Sequence, residues 1–149
     1  MKIVLQRVRK ASVEVDGKTA GEIAKGVCLL VGIERGDTNQ DVEFLARKVV
    51  ELRIFADPEG KMNLSLAEVA GEVLAVSQFT LVGSVWKGRR PSFDGAESAA
   101  RAEEVFNDFV ACLRRLGVKV ATGVFQARMD VHILNDGPVT FILDSKKED

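Results

Sequence analysis

Seven consecutive residues with no charged or strongly hydrogen-bonding side chain, Val27-Cys28-Leu29-Leu30-Val31-Gly32-Ile33, place the tightest constraint on what this chain can fold into. Such a run has no solvated side, so it reads as a central strand buried on both faces. Val73-Leu74-Ala75-Val76-Ser77-Gln78-Phe79 has the same character and ends in a polar cluster. Two buried strands need cover. The chain has 149 residues, 46% of them hydrophobic and only 3 of them Pro. That suits one compact domain over 1–149, with residues 145–149 expected to fray.

The period of the pattern assigns the remaining elements. Lys2 to Val8 alternates, and Ser12 to Val15 continues in a β-branched, extended style. Asp16-Gly17 is a hairpin signal, since both residues tolerate positive φ, and Thr19 to Ile23 returns as a strand. A turn at Lys25-Gly26 leads into the buried run, so the first third is expected to be an antiparallel meander. Val42, Leu45, Ala46, Val49 and Val50 then recur at helical spacing behind Asp37-Thr38-Asn39, which predicts a helix over about 39–51. Arg53-Ile54-Phe55 reads as a short strand and Asp57-Pro58-Glu59-Gly60 as a turn. Ala102, Val105, Phe106, Phe109, Val110 and Leu113 line one face of a second helix over 99–116, stopped by Gly117. Val118–Val120, Met129–Leu134 and Val139–Leu143 complete the strands, the last two joined by Asn135-Asp136-Gly137-Pro138. The expected fold is α+β: mostly antiparallel, barrel-like sheet with two main helices packed on one face. It lacks βαβ alternation and GxGxxG, so no nucleotide cofactor is expected.

Charge and cysteine usage exclude several function classes. Lys and Arg total 21 against 22 Asp and Glu, so any polyanion must be met by a local patch. Cys28 and Cys112 stand apart in apolar surroundings and read as small buried hydrophobes. With 1 His and no CxxC, no metal site is expected. The apolar run at Met1–Arg7 breaks too early for a signal peptide, and no stretch approaches a membrane span. A soluble, cytoplasmic protein is expected, with no membrane partner.

Three constellations could carry chemistry. Ser77-Gln78-Phe79-Thr80-Leu81 sets polar side chains at the end of a buried strand, where they must find partners or line a pocket. They could orient an ester carbonyl, or simply cap the strand. Asn135-Asp136-Gly137-Pro138-Val139-Thr140 is a hairpin signal, yet a Pro after Gly can be cis and can fix a pair of carbonyls as a rigid element without side chains. Lys87-Gly88-Arg89-Arg90-Pro91-Ser92-Phe93 places three cations before an aromatic, which suits phosphate contact with stacking as well as a solvated loop. Arg7 interrupts an apolar strand and must reach the surface or pair internally. His132, between Val131 and Ile133, reads as a strand residue rather than a base. Phe125 and Met129 read as core.

The first two motifs together resemble the signatures of the D-aminoacyl-tRNA deacylases, also called D-tyrosyl-tRNA deacylases. The resemblance runs end to end, through Gln6-Arg7-Val8, Ala11-Ser12-Val13, Gly60-Lys61-Met62-Asn63-Leu64, Arg90-Pro91-Ser92-Phe93, and Thr122-Gly123-Val124-Phe125 with Ala127 and Met129. It implies a proofreading hydrolase that cleaves the ester between a D-amino acid and the acceptor end of tRNA, and that also removes glycine from mischarged tRNA. It further implies a homodimer with active sites at the subunit interface. There Ser77, Gln78, Phe79 and Thr80 would form the catalytic wall, and a cis Gly137-Pro138 pair would enter the partner's pocket and exclude L-amino acids. Phe125, Met129, Asn135 and Arg7 would belong to the substrate site, and Lys87, Arg89 and Arg90 would meet the RNA. Thr80 matches a residue proposed as nucleophile in the family; the other implied mechanism is activation of water by the substrate's ribose 2′-OH. A Ser or Thr nucleophile needs a base nearby, and the lone His favours the second. The alternative reading is a non-catalytic dimeric module that binds RNA or a nucleotide.

Overall fold

The computed structural model describes residues 1–147. Strands β1 (Lys2–Val15), β2 (Lys18–Ile23) and β3 (Gly26–Gly32) form the expected antiparallel meander. The β1–β2 hairpin turns on Asp16 and Gly17, both with positive φ. Helix α1 (Asn39–Glu51) follows, then the two short strands β4 (Phe55–Ala56) and β5 (Met62–Leu64), which pair with each other. Strand β6 (Glu72–Ser77), a 3₁₀ turn over Phe79–Val82, helix α2 (Ala99–Arg115), β7 (Val120–Thr122) and β8 (Asp130–Asp144) complete the chain.

The main sheet runs β2-β1-β3-β6-β7, with β8 on the other edge of β1. It curls until β7 comes back beside β2, so the sheet is nearly a barrel. The sheet is mixed. β3 pairs with β6, and β6 with β7, in parallel, so βαβ connections are present where the sequence pattern indicated none. The β4–β5 hairpin hides the first crossover, β3 to β6, and the long loop before α2 hides the second, β6 to β7.

The buried runs are apolar on both faces because the sheet has a core on each side. Val27, Leu29, Val31, Val73 and Ala75 face α1 and α2, meeting Leu45, Val49, Phe106, Phe109 and Leu113. Their neighbours Cys28, Leu74 and Val76 point into the curl, beside Val8, Ala11, Val13 and Ile23. Both cysteines are buried and free, as a small hydrophobe should be. Burial alone pushes the Cys28 thiol up to about 12. In β1, Ile3 and Leu5 belong to the helix-side core, whereas Ala11 and Val13 belong to the other. Two residues of β1 oppose one of β8 between Val8↔Asn135 and Lys10↔Leu134. That bulge reverses the alternation for the rest of the strand.

Three boundaries differ from expectation. The strands expected at Met129–Leu134 and Val139–Leu143 are one strand, β8, and the segment between them makes no hairpin. Both halves pair with the same partner, β1, which leaves nothing to turn back on. Strand β7 lies at Val120–Thr122 rather than 118–120. The short strand after α1 is Phe55–Ala56 rather than Arg53–Phe55, shifted to pair with β5.

Nor is the start of the tail frayed. Ser145 donates its backbone N–H to the Met1 carbonyl at 3.0 Å, and Lys146 Nζ lies 3.0 Å from Asp37 Oδ1. The last two residues expected to fray, 148 and 149, lie outside the described residues. Asp37 is the organiser of this corner. Its carboxylate accepts from the Met1 α-ammonium at 2.7 Å and from the Glu34 backbone N–H at 2.7 Å. Among the described residues no helix is long and apolar enough to cross a membrane.

Removing the Asp37 carboxylate leaves a buried ammonium and a backbone N–H short of an acceptor. Asp37→Ala is expected to lower unfolding free energy by about 3 kcal/mol, read from urea denaturation midpoints. A loss below about 0.5 kcal/mol would show the network to be dispensable.

Candidate functional site

The buried strands β3 and β6 stop together. Ser77 is the last residue of β6 paired with β3, opposite Val31, and Gln78 donates its N–H to the Val31 carbonyl at 2.8 Å. The chain then tightens into the 3₁₀ turn Phe79–Val82. The first N–H groups of a helical turn have no acceptor inside it, so the Phe79 and Thr80 amides are left available to an incoming oxygen. Gln78 Nε2 donates to Thr80 Oγ1 at 3.1 Å, which fixes the two side chains relative to one another.

Ser77, Gln78, Phe79 and Thr80 form one wall of a cleft of about 450 Å³. The opposite wall comes from the first turns of α2 and from the loop between β7 and β8, where Phe125 and Met129 line the cavity. Phe125 is anchored on Phe106 of α2, ring centroids 6.4 Å apart. Phe125 and Met129 are therefore half-buried lining residues rather than interior core. Six of the residues singled out in the sequence meet here, from segments about 50 positions apart. Pattern reading missed Glu97, Gln126 and the small residues Ala99 and Ala102. Gln126 has φ 64°, a conformation that its residue type does not signal. Glu97 is held at the cleft by its backbone N–H, which donates to the carbonyl of Ile33, just past β3, at 3.2 Å.

The remaining substrate-site candidates lie elsewhere. Between Gln6↔Thr140 and Val8↔Asn135, β8 advances three residues more than β1. The surplus leaves the ladder as a bulge carrying Asp136, Gly137 and Pro138. Asn135 clamps its base: Oδ1 accepts the Val139 N–H at 3.0 Å, and Nδ2 donates to Thr140 Oγ1 at 3.0 Å. Arg7 holds it from β1, with Nε donating to the Asp136 carbonyl at 3.1 Å and Nη1 to the Ile54 carbonyl at 2.7 Å. Arg7 thus pairs internally. The Gly137–Pro138 bond is cis, and both residues are exposed. Neither Arg7 nor residues 135–138 line the cleft of their own chain.

Lys87, Arg89 and Arg90 form a third group on an exposed loop. His132 stands apart from all three, 59% exposed on the outer face, with Nε2 at 3.4 Å from Glu14 Oε1. It borders a broad groove of about 1040 Å³ that also presents Glu22 and Glu72. Among the described residues no cluster of His, Cys, Asp or Glu could hold a metal ion. Glu97 is the one carboxylate among the described residues that lines the cleft, and its Oε1 accepts the Ser98 N–H at 2.8 Å. Among the described residues Thr80 has no hydrogen-bonded base: its hydroxyl receives the Gln78 amide instead.

The family model described as D-Tyr-tRNA(Tyr) deacylase matches residues 4–144. A D-aminoacyl-tRNA deacylase of Geobacter sulfurreducens is 56% identical, covering 98% of this chain and 96% of its own. One from Persephonella marina is 57% identical, covering 96% and 97%. A solved structure of a c-Myc DNA Unwinding Element Binding Protein aligns at TM-score 0.94 with 43% identity, covering 99% of this chain and 100% of that one. A probable eukaryotic D-amino acid tRNA deacylase shares the fold, at TM-score 0.79 and 20% identity over 95% of this chain and 97% of its own. The chain belongs to the D-Tyr-tRNA(Tyr) deacylase family.

Gly137 adopts φ 126°, and a Cβ there would lie 2.8 Å from Val139 Cγ2 and 3.0 Å from Arg7 Nη2. Gly137→Ala is expected to cost about 2 kcal/mol of stability from backbone strain and crowding, measured by thermal or urea unfolding. An unchanged midpoint would mean that the bulge relaxes freely.

Proposed function

We propose that this member of the D-Tyr-tRNA(Tyr) deacylase family is a D-aminoacyl-tRNA deacylase, cleaving the ester between a D-amino acid and the terminal ribose of tRNA in the cytoplasm. The observation that carries the reading is the cleft, in which Ser77, Gln78, Phe79 and Thr80 face Phe125 and Met129. An ester carbonyl placed against the free Phe79 and Thr80 amides would find donors aimed at the charge that develops on its oxygen. Water adds to that carbonyl. The acyl–oxygen bond then breaks, the amino acid leaves as its acid, and the ribose oxygen takes the proton.

Thr80 serves as a positioning group in this scheme. Its hydroxyl accepts from Gln78 and touches no base, and a hydroxyl nucleophile requires one. The ribose 2′-OH of the substrate is the group that activates the water. The competing role, Thr80 as nucleophile, would need Glu97 to reach it.

Chiral selection is assigned to Gly137-Pro138 from a second copy of the chain. The pair is exposed, held by Arg7 and Asn135, and absent from its own chain's cleft. Two further features support a homodimer with shared sites. Among the described residues β8 pairs with β1 alone, which leaves its other edge without a strand partner. Along it Leu134, Phe141 and Ile142 are 47%, 40% and 78% exposed. A long apolar edge strand is a pairing surface. A backbone element that blocks only an L side chain would leave achiral glycine free to enter, so glycine on mischarged tRNA is a second substrate.

Matched D-Tyr-tRNA and L-Tyr-tRNA, incubated with purified protein, test the proposal. The D ester is expected to be lost at least about a hundredfold faster. Thr80→Ala should reduce kcat by no more than about a hundredfold, the scale of one lost polar contact. A collapse of about a million-fold, as when a hydrolase loses its nucleophile, would overturn the positioning role. Equal rates for both esters would overturn the proposed selectivity.

A further inference from the structure

The loop between the 3₁₀ turn and α2 contains the most exposed large apolar residue described in the chain. Trp86 is 92% exposed and its neighbour Val85 61%. Apolar side chains in such a position leave water only when a partner covers them. The segment 83–93 carries Lys87, Arg89 and Arg90 and no carboxylate. None of these three cations is in an ion pair among the described residues. Aromatic surface beside unneutralised cations is complementary to a nucleic-acid strand, which offers phosphates and stackable bases together.

The loop is also built, and it is continuous with the cleft. Ser84 and Ser92 exchange backbone hydrogen bonds of 2.7 and 2.8 Å, which close residues 85–91 into a short arm. Immediately outside that bridge Phe93 packs on Phe79, ring centroids 5.0 Å apart, and Phe79 lines the cleft. Trp86 is two residues from Ser84, so the backbone between them spans at most about 7 Å. One or two nucleotides of a single strand cover such a step.

We infer that the arm 84–92 is a platform for the unpaired 3′ end of the tRNA, with Trp86 stacking on a base just upstream of the terminal adenosine and Lys87, Arg89 and Arg90 meeting its phosphates. This rests on the proposed deacylase reading, which places the terminal ribose in the cleft. The platform supplies binding rather than chemistry, so its loss should appear in KM.

Trp86 is the only tryptophan in the sequence, so its fluorescence reports on this surface alone. The probe is an uncharged RNA heptamer ending in CCA, titrated into the intact protein. Saturable quenching is expected. The apparent affinity should fall with salt at a log–log slope of about −2, the value for three single-strand phosphate contacts. Trp86→Ala should raise KM for D-aminoacyl-tRNA roughly tenfold with little change in kcat, and Trp86→Phe should restore most of the loss. The KM penalty should be absent for D-aminoacyl-adenosine, which lacks the upstream nucleotides.

RNA that binds, by anisotropy of a labelled heptamer, without altering Trp86 emission would overturn the inference. So would emission already blue-shifted and shielded from acrylamide before RNA is added, since a protein surface would then cover Trp86. Quenching without hydrolysis of either ester would uphold the platform and refute the deacylase reading. Hydrolysis of D-aminoacyl-tRNA and of D-aminoacyl-adenosine with no quenching and an unchanged KM in Trp86→Ala would refute the platform alone.

Discussion

Strand β1 is the reference for the whole sheet. One of its edges is shared by β3 and β2, and the other is taken from Lys2 to Glu14 by β8. Because β8 must follow β1 from end to end, any difference in residue count between them has to leave the ladder as a bulge. Two such mismatches exist, and both serve the rest of the molecule. The one near Arg9 changes which face of β1 is apolar, letting a single strand contribute to both cores. The other expels Asp136-Gly137-Pro138 into solvent beside Arg7, the residue that interrupts the apolar pattern of β1.

The cleft has a related origin at the opposite side of the sheet. β3 and β6 are parallel and end together, so their last carbonyls and amides cannot be satisfied by a returning hairpin. The 3₁₀ turn solves part of this and leaves amides free at its start, next to Ser77, Gln78 and Thr80. The helix that follows packs over the same end. A cavity lined mainly by apolar side chains, with a few polar groups along one wall, is what remains where a doubly buried strand stops and its cover begins. The cleft and the exposed bulge therefore lie on separate parts of one chain, and the proposed chemistry brings the bulge of one copy to the cleft of another.

Much of this was legible in the residues. The two continuous apolar runs marked both central strands, and the spacing Val42-Leu45-Ala46-Val49-Val50 placed α1 at its observed ends, Asn39–Glu51. Helix α2 followed from the same periodicity. What escaped was long-range pairing. Asn135-Asp136-Gly137-Pro138 has the local chemistry of a turn, and only the register with β1 shows that the chain bulges and continues. The parallel pairing of β3 with β6 was obscured by the β4–β5 hairpin, and that of β6 with β7 by the long loop that separates β6 from α2. In the site, Ser77 to Thr80 stood out as polar residues ending a buried strand. Glu97 and Gln126 did not, because the periodicity that marks the start of α2 does not say what packs beside it, and the residue type of Gln126 does not signal its left-handed backbone.

The most direct test of the shared-site account is subunit complementation. One variant would block the cleft from within, Ala127→Trp, and the other would block it from the partner's side, Gly137→Val, whose branched side chain on the bulge would fill the cleft it enters, each being inactive alone on D-Tyr-tRNA. After unfolding and refolding a 1:1 mixture, half of the dimers are mixed, and each mixed dimer has one site with an intact cleft and an intact bulge. The account predicts recovery of about one quarter of wild-type activity. A mixture that forms mixed dimers yet stays as inactive as its components would place cleft and bulge of a working site in the same chain, and would contradict it.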